Sequence, residues 1–314
     1  MNNKCLYCYK ELNKNGDFHS SCCNGFFGTP EPPILNYTMS EMAELARQVV
    51  ESSVTVPGVQ PKLSLGFIRD VLRDSANGRL TIMGTLGGNY ILKPQNESYP
   101  QMPENEHLTM KMAELCGISV VPSSLIRLKS GELSYITKRI DRTLTGQKIH
   151  MLDMFQILEA FDKYKSSIEK VGKAVAEHSA NTLLDLLRLF EVVVFSYLTG
   201  NNDMHLKNFS LILNNNEWVL SPAYDLLNVT LHLPEDTEET ALTINGKKRR
   251  LTKSDFINLG LNLQLTEKQI QNSFYRFTET EEKMKQEIKS SFLSPQNQIK
   301  YIKLLENRLL LFKS

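Results

Sequence analysis

The apolar residues of this chain change rhythm near residue 150, and that change limits the folds open to it. From residue 62 to 138 they fall in short runs rich in β-formers: Lys62–Ile68, Leu80–Met83, Tyr90–Lys93, Leu125–Leu128 and Leu133–Lys138. Turn formers separate the runs, among them Gly84-Thr85-Leu86-Gly87-Gly88-Asn89 and Ser130-Gly131, so each run is predicted to be a strand. From about 151 to 199, and from 254 to the end, the spacing is helical. A helix is predicted over 39–52 with Ser40 as N-cap, and another over 104–116 stopped by Gly117. A hairpin is predicted from Leu211–Leu213 to Trp218–Leu220 across Asn214-Asn215-Asn216. A β-rich half followed by a helix-rich half predicts an α+β chain of two lobes. A cleft between lobes is a common place for a small-molecule site.

Charge removes several function classes. The 36 basic and 35 acidic residues leave a formal net charge of +1, so no bulk field favours nucleic acid or an anionic membrane. The short run Lys247-Lys248-Arg249-Arg250 follows Asn245-Gly246 and reads as the solvated end of a hairpin, with a basic docking patch as the alternative. No stretch reaches the ~18 consecutive apolar residues of a membrane span. Leu183–Leu198 comes nearest, but Asp185, Arg188 and Glu191 interrupt it, so it reads as a buried helix. No basic region followed by an apolar run opens the chain, so a cytoplasmic location is expected, with cysteines reduced or metal-bound.

Four of the five cysteines lie within the first 23 residues. Cys5-x2-Cys8-x10-His19-x2-Cys22 offers three thiols and one imidazole at the spacing of a structural Zn²⁺ site. Cys23 is an alternative to Cys22, and chance clustering of thiols is an alternative to metal. Pro30-Glu31-Pro32-Pro33 then reads as a stiff connector. Cys116, in an apolar stretch, reads as a core thiol.

A second constellation suits phosphoryl transfer, which needs a positioned carboxylate, metal ligands and cations on the phosphates. Asp203 and Asn208 have the Asp-x4-Asn spacing of a kinase catalytic loop, with His205 and Lys207 between them. Asp225, in Pro222-Ala223-Tyr224-Asp225, is a candidate second Mg²⁺ ligand or else a helix N-cap. Lys93 closes a strand and either reaches phosphates or snorkels. Glu106 either pairs with Lys93 or serves the helix dipole. Thr55-Val56-Pro57-Gly58-Val59-Gln60-Pro61-Lys62 holds one glycine and by itself reads as a turn.

In this order the pieces resemble the HipA-like Ser/Thr kinases of bacterial toxin–antitoxin systems. The match is carried by Pro57–Leu63, Tyr90–Pro94, Glu104–His107, Leu115–Gly117, Thr137–Arg142, Gly200–Phe209 and Pro222–Asp225. The resemblance implies a two-lobed, protein-kinase-like α+β fold, with a β-rich lobe over 36–145 and a helical lobe over 146–314, preceded by the small Cys/His module of residues 1–29. It implies an ATP- and Mg²⁺-dependent kinase with Asp203 as base, helped by His205 and Lys207, and with Asn208 and Asp225 on Mg²⁺. Gly58, Val59, Gln60 and Lys62 would cover the phosphates, Lys93 would contact them with Glu106 orienting it, and Lys138 and Ile140 would present backbone groups to adenine. Family members autophosphorylate a serine before the glycine loop; Thr55 stands there, with Ser52 and Ser53 as neighbours and Pro57 where a second serine can occur.

The chain is most similar to the short, HipT-like form. That implies a small HipS-like protein supplying a missing N-terminal subdomain and a helix-turn-helix HipB-like antitoxin. DNA would be bound only through that antitoxin, and no membrane is expected. The expected substrate is a translation factor, an aminoacyl-tRNA synthetase, whose phosphorylation arrests growth. Two alternatives stand beside this: an inactive kinase-fold corepressor, and a small-molecule kinase.

Overall fold

The computed structural model describes residues 3–42, 44, 45, 63–69, 78–82, 88–143 and 145–313. The chain divides into two compact units: Met1–His107, Val121–Lys148 and Ser290–Phe292 form the first; Leu108–Val120, Ile149–Lys289 and Leu293–Ser314 form the second.

The first unit is built on a five-stranded antiparallel sheet in the order β2-β1-β3-β5-β4. Its strands are β1 (Leu63–Arg69), β2 (Gly78–Ile82), β3 (Tyr90–Lys93), β4 (Ser123–Arg127) and β5 (Leu133–Lys138). Side chains alternate across a sheet, so register decides which residues share a face. On β3, Tyr90 and Leu92 point into the core with Leu63, Ile126 and Ile136. Lys93 points to the other face, directly opposite Tyr135 of β5. Helix α1 (Ser20–Phe27) covers the core face: Phe26 and Phe27 lie 5.8 and 6.0 Å from the Tyr90 ring.

A Thr-x-x-Glu capping box opens the helix near residue 39. Thr38 Oγ1 and its N–H both donate to Glu41 Oε2, at 2.8 and 2.7 Å, so Thr38 takes the cap expected of Ser40. Thr38 wins because its partner stands three residues on; Glu44 is one residue too far from Ser40.

Helix α2 (Met102–Leu115) begins in the first unit and ends in the second, and Gly117, at φ 78°, terminates it as expected. The second unit holds a three-stranded antiparallel sheet of β6 (Met151–Asp153), β7 (Ser210–Asn214) and β8 (Glu217–Leu220). Its helices are α3 (Met154–Ile157), α4 (Ile168–His178), α5 (Thr182–Thr199), α6 (Lys253–Asn262), α7 (Glu267–Glu279), α8 (Glu281–Ser290) and α9 (Pro295–Lys313). The helical reading of 151–199 needs correction at its start. Residues 151–153 pair with β7, and 158–167 form an irregular loop. The β7–β8 turn is as expected, with Asn215 and Asn216 at φ 49° and 64°, which asparagine tolerates.

Helix α5 explains the charges in the apolar window. Asp185 is fully buried and accepts from Ser179 Oγ at 2.6 Å and Leu220 N–H at 2.7 Å, with Arg188 at 3.2 Å. Glu191 takes Ser273 and Arg276 at 3.1 and 2.5 Å. The basic run is exposed at Lys247, Arg249 and Arg250, as expected of a solvated end. Asn245-Gly246 is the expected tight turn, but Lys247 pairs with Asp255 at 2.9 Å and Lys248 with Glu238 at 3.4 Å. Among the described residues no helix is long and apolar enough to cross a membrane.

Candidate active site

Lys93 and Glu106 form a buried ion pair in the first unit, 2.6 Å apart and with side chains 5% and 1% exposed. The strand places the ammonium 5.5 Å from the Tyr135 ring centroid. The helix reading of Glu106 as a dipole partner alone and the snorkelling reading of Lys93 both give way to this pair. A buried pair is an expensive way to stabilise a fold. It is a reasonable way to hold an ammonium ready for an anion.

In the second unit α5 ends at Gly200, and the loop Asn201–Asn208 follows. Gly200 sits at φ 76°, and a Cβ there would meet Asn228 Oδ1 at 2.7 Å and Leu304 Cδ2 at 2.9 Å. Left-handed strain and overpacking predict that Gly200→Ala costs about 2–4 kcal/mol. Its thermal midpoint should fall by roughly 5–10 °C in calorimetry.

Asn208 Nδ2 donates to the Asp203 carbonyl at 3.1 Å, which leaves Oδ1 as an acceptor suited to a hard cation. Asn202 Nδ2 anchors the loop to Asp236 at 2.9 Å and to the Glu238 carbonyl at 3.1 Å. Asn201 reaches the Asp225 carbonyl at 3.5 Å. Lys207 lies over Phe155, 4.7 Å from its centroid, and its carbonyl accepts from Tyr224.

Asp225 is not the N-cap of a helix. It sits at φ 61°, and the next helical turn, Val229–Leu231, is capped by Asn228. A non-glycine residue held in left-handed backbone costs on the order of 1 kcal/mol. His205 lies buried in the loop. Burial lowers its pKa and Lys163 adds to that, while the carboxylates of Asp203 and Asp225 both oppose it.

Two residues absent from the sequence reading touch this loop. Tyr164 donates its hydroxyl to Asp203 Oδ1 at 2.7 Å, and Lys163 Nζ lies 2.8 Å from His205 Nε2. They sit in the loop 158–167, inside the span whose spacing is helical in the sequence.

Lys138 lies in β5 with its N–H given to the Pro122 carbonyl at 3.0 Å and its ammonium 5.4 Å from the Phe26 ring centroid; Ile140 follows in a turn. Thr55, Gly58, Val59, Gln60 and Lys62, with Ser52, Ser53 and Pro57, lie outside the described residues.

Cys5, Cys8, His19 and Cys22 converge, with their ligand atoms all within 4.8 Å of one another. His19 Nδ1 is 3.4 Å from Cys8 Sγ and 3.8 Å from Cys22 Sγ. A tetrahedral zinc with Zn–S of about 2.3 Å and Zn–N of about 2.05 Å has an S–N edge of about 3.6 Å. His19 Nε2 is 2.9 Å from the Glu11 carbonyl, which only accepts, so Nε2 carries the proton and Nδ1 presents its lone pair to the cluster. Burial and the neighbouring Cys5 and Cys8 sulfurs push the Cys22 thiol up to about 12, a crowding that a cation relieves. Cys23 is fully buried in the first unit's core and Cys116 is buried too, so Cys22 rather than Cys23 is the thiol that joins the cluster.

Sheet, helices and these two groups define a protein-kinase-like fold. The sequence pattern of the HipA-like C-terminal domain matches residues 54–289. The chain belongs to that family. A Haemophilus influenzae protein named as a kinase candidate is 28% identical over 93% of this chain and 92% of its own length. The serine/threonine-protein kinase toxin HipA of Shewanella oneidensis is 26% identical over 59% of this chain and 45% of its own. Among solved structures, HipA from the Shewanella oneidensis complex with HipB and operator DNA has a TM-score of 0.66 at 19% identity, covering 86% of this chain and 70% of that one. The Helicobacter pylori proinflammatory kinase CtkA has a TM-score of 0.53 at 15% identity, covering 74% of this chain and 88% of its own. These two likenesses concern the fold.

Proposed function

We propose that this chain is an ATP- and Mg²⁺-dependent serine/threonine protein kinase of the toxin type. The observation carrying the reading is the loop in which Asn208 Nδ2 donates to the Asp203 carbonyl and Asn201 Nδ2 reaches the Asp225 carbonyl. MgATP would supply the transferable phosphoryl group. Asp203 accepts the proton of the acceptor hydroxyl, Asn208 and Asp225 hold the metal, and Lys93, oriented by Glu106, neutralises phosphate charge. Gly58, Val59, Gln60 and Lys62 would cover the phosphates. With the Lys138 N–H already given to Pro122, Ile140 supplies the donor to adenine and a hinge carbonyl the acceptor.

The test is γ-phosphate transfer from labelled MgATP to a bacterial cytosolic extract. Asp203→Asn is expected to lower the rate by roughly 10²–10⁴-fold, the usual contribution of a general base. Equal labelling by both proteins would remove Asp203 from its role. An unlabelled extract with the wild type would favour the corepressor reading.

The substrate class we propose is an aminoacyl-tRNA synthetase, with growth arrest in the cytoplasm as the outcome. The partners are a small HipS-like protein and a HipB-like helix-turn-helix antitoxin, which alone would touch DNA; HipA of Shewanella oneidensis forms a complex with HipB and operator DNA. Thr55 is the proposed autophosphorylation site: phosphate there adds roughly −1.5 to −2 charge, which repels ATP. Cys5, Cys8, His19 and Cys22 hold a structural Zn²⁺, with no open position for catalysis.

A further inference from the structure

Consecutive residues of the loop 158–167 grip the loop that carries Asp203. The Lys163 carbonyl accepts the Leu206 N–H at 3.1 Å. Its ammonium lies 2.8 Å from His205 Nε2. An ammonium only donates, so Nε2 accepts. The Tyr164 ring stands edge-on to His205, with centroids 5.3 Å apart and planes at 78°. Its hydroxyl ends 2.7 Å from Asp203 Oδ1. The grip is itself braced: Asp162 Oδ1 accepts the Tyr164 N–H at 2.9 Å, and the Ile168 N–H is held by the Thr243 carbonyl at 3.0 Å. A carboxylate at the end of an sp³–sp² torsion has a broad rotational well. A hydrogen bond to one of its oxygens narrows that well and presents the other.

We propose that Lys163 and Tyr164 are positioning residues for the transfer step: Tyr164 holds Oδ1 of Asp203 so that Oδ2 faces the acceptor hydroxyl, and Lys163 holds His205 against the Tyr164 ring. This rests on Asp203 being the base. Neither residue touches the reacting atoms. Tyr164→Phe keeps the ring on His205 and removes only the hydroxyl, which isolates the orienting bond. Lys163→Met keeps the stem and removes the ammonium.

The experiment measures initial rates of transfer from labelled MgATP to a fixed amount of cytosolic extract, with ATP varied, for the full chain and both variants. Each variant is expected to lower the saturating rate by roughly 10-fold to 100-fold, the effect of a misplaced catalytic group. The half-saturating ATP concentration should stay within about twofold, because orientation rather than ATP binding is lost. A merely structural role would move both together. Thermal melting of Tyr164→Phe, Asp203→Ala and the double variant supplies a readout that needs no activity. The two midpoint shifts are expected to be non-additive, as for residues in contact. Additive shifts overturn the contact, and an unchanged or faster Tyr164→Phe rate overturns the positioning role. A wild type that transfers nothing removes the kinase reading and this proposal with it, whereas an active wild type matched by its variants removes only the proposal.

Discussion

Lys93→Met is expected to destabilise the chain by about 3–5 kcal/mol, because it leaves the Glu106 carboxylate buried without its ammonium. Urea unfolding measures the loss. The control is Arg127→Met, which breaks a pair with Asp17 whose side chains are 41% and 31% exposed and should cost less than about 1 kcal/mol. The double variant Lys93→Met/Glu106→Leu separates stability from chemistry. Replacing both charges by apolar groups should restore stability to within about 1 kcal/mol of the wild type, since a buried pair contributes little net. Transfer of phosphate from ATP should stay at least roughly 10²-fold below the wild type in both variants, because the ammonium of Lys93 no longer meets the phosphates. A single variant as stable as the Arg127 control would overturn the buried pair, and a double variant with normal transfer would overturn the phosphate role of Lys93.

Removing metal from the N-terminal cluster is the second large effect. The purified chain is expected to carry about one equivalent of zinc after extensive dialysis, and less than about half an equivalent counts against the site. Cys22→Ser should lose the metal and Cys23→Ser should keep it, since Cys23 packs in the core and Cys22 sits in the cluster. Structural zinc supplies apparent folding energy on the order of 10 kcal/mol in small domains, so chelation should unfold residues 3–29. The damage should spread further. Cys22 and Phe26 lie one turn apart on α1, and Phe26 packs on Tyr90 of the strand that ends in Lys93. Limited proteolysis is expected to cut between residues 3 and 29 within minutes of chelation, with protection returning when zinc is restored.

Much of the candidate site was legible because its spacing is local. Asp-x4-Asn, Cys-x2-Cys and His-x2-Cys each fit within one loop or turn, and the hairpins announced themselves through Asn and Gly at positive φ. The Thr38 cap is equally local: the glutamate three residues on selects Thr38 over the neighbouring Ser40. Lys163 and Tyr164 were not legible. A polar Asp-Lys-Tyr-Lys has the same composition on a solvated helix as in a loop gripping a carboxylate, and 39 residues separate Tyr164 from Asp203.

The sequence by itself determined the period-2 strands of the first unit, the long helices of the second, the family, and which residue types stand ready for phosphoryl transfer and metal. Tertiary structure alone decided what pairs with what. Glu106 reaches Lys93 because β3 turns Lys93 away from the core onto the face that α2 supplies. Cys22 rather than Cys23 enters the cluster because consecutive helical residues point about 100° apart, and the core takes one of them. Asp203 is held at one oxygen by Tyr164 because the chain folds a distant loop back onto it. Periodicity and turn chemistry act over a few residues, whereas these contacts depend on packing and register that no local pattern encodes.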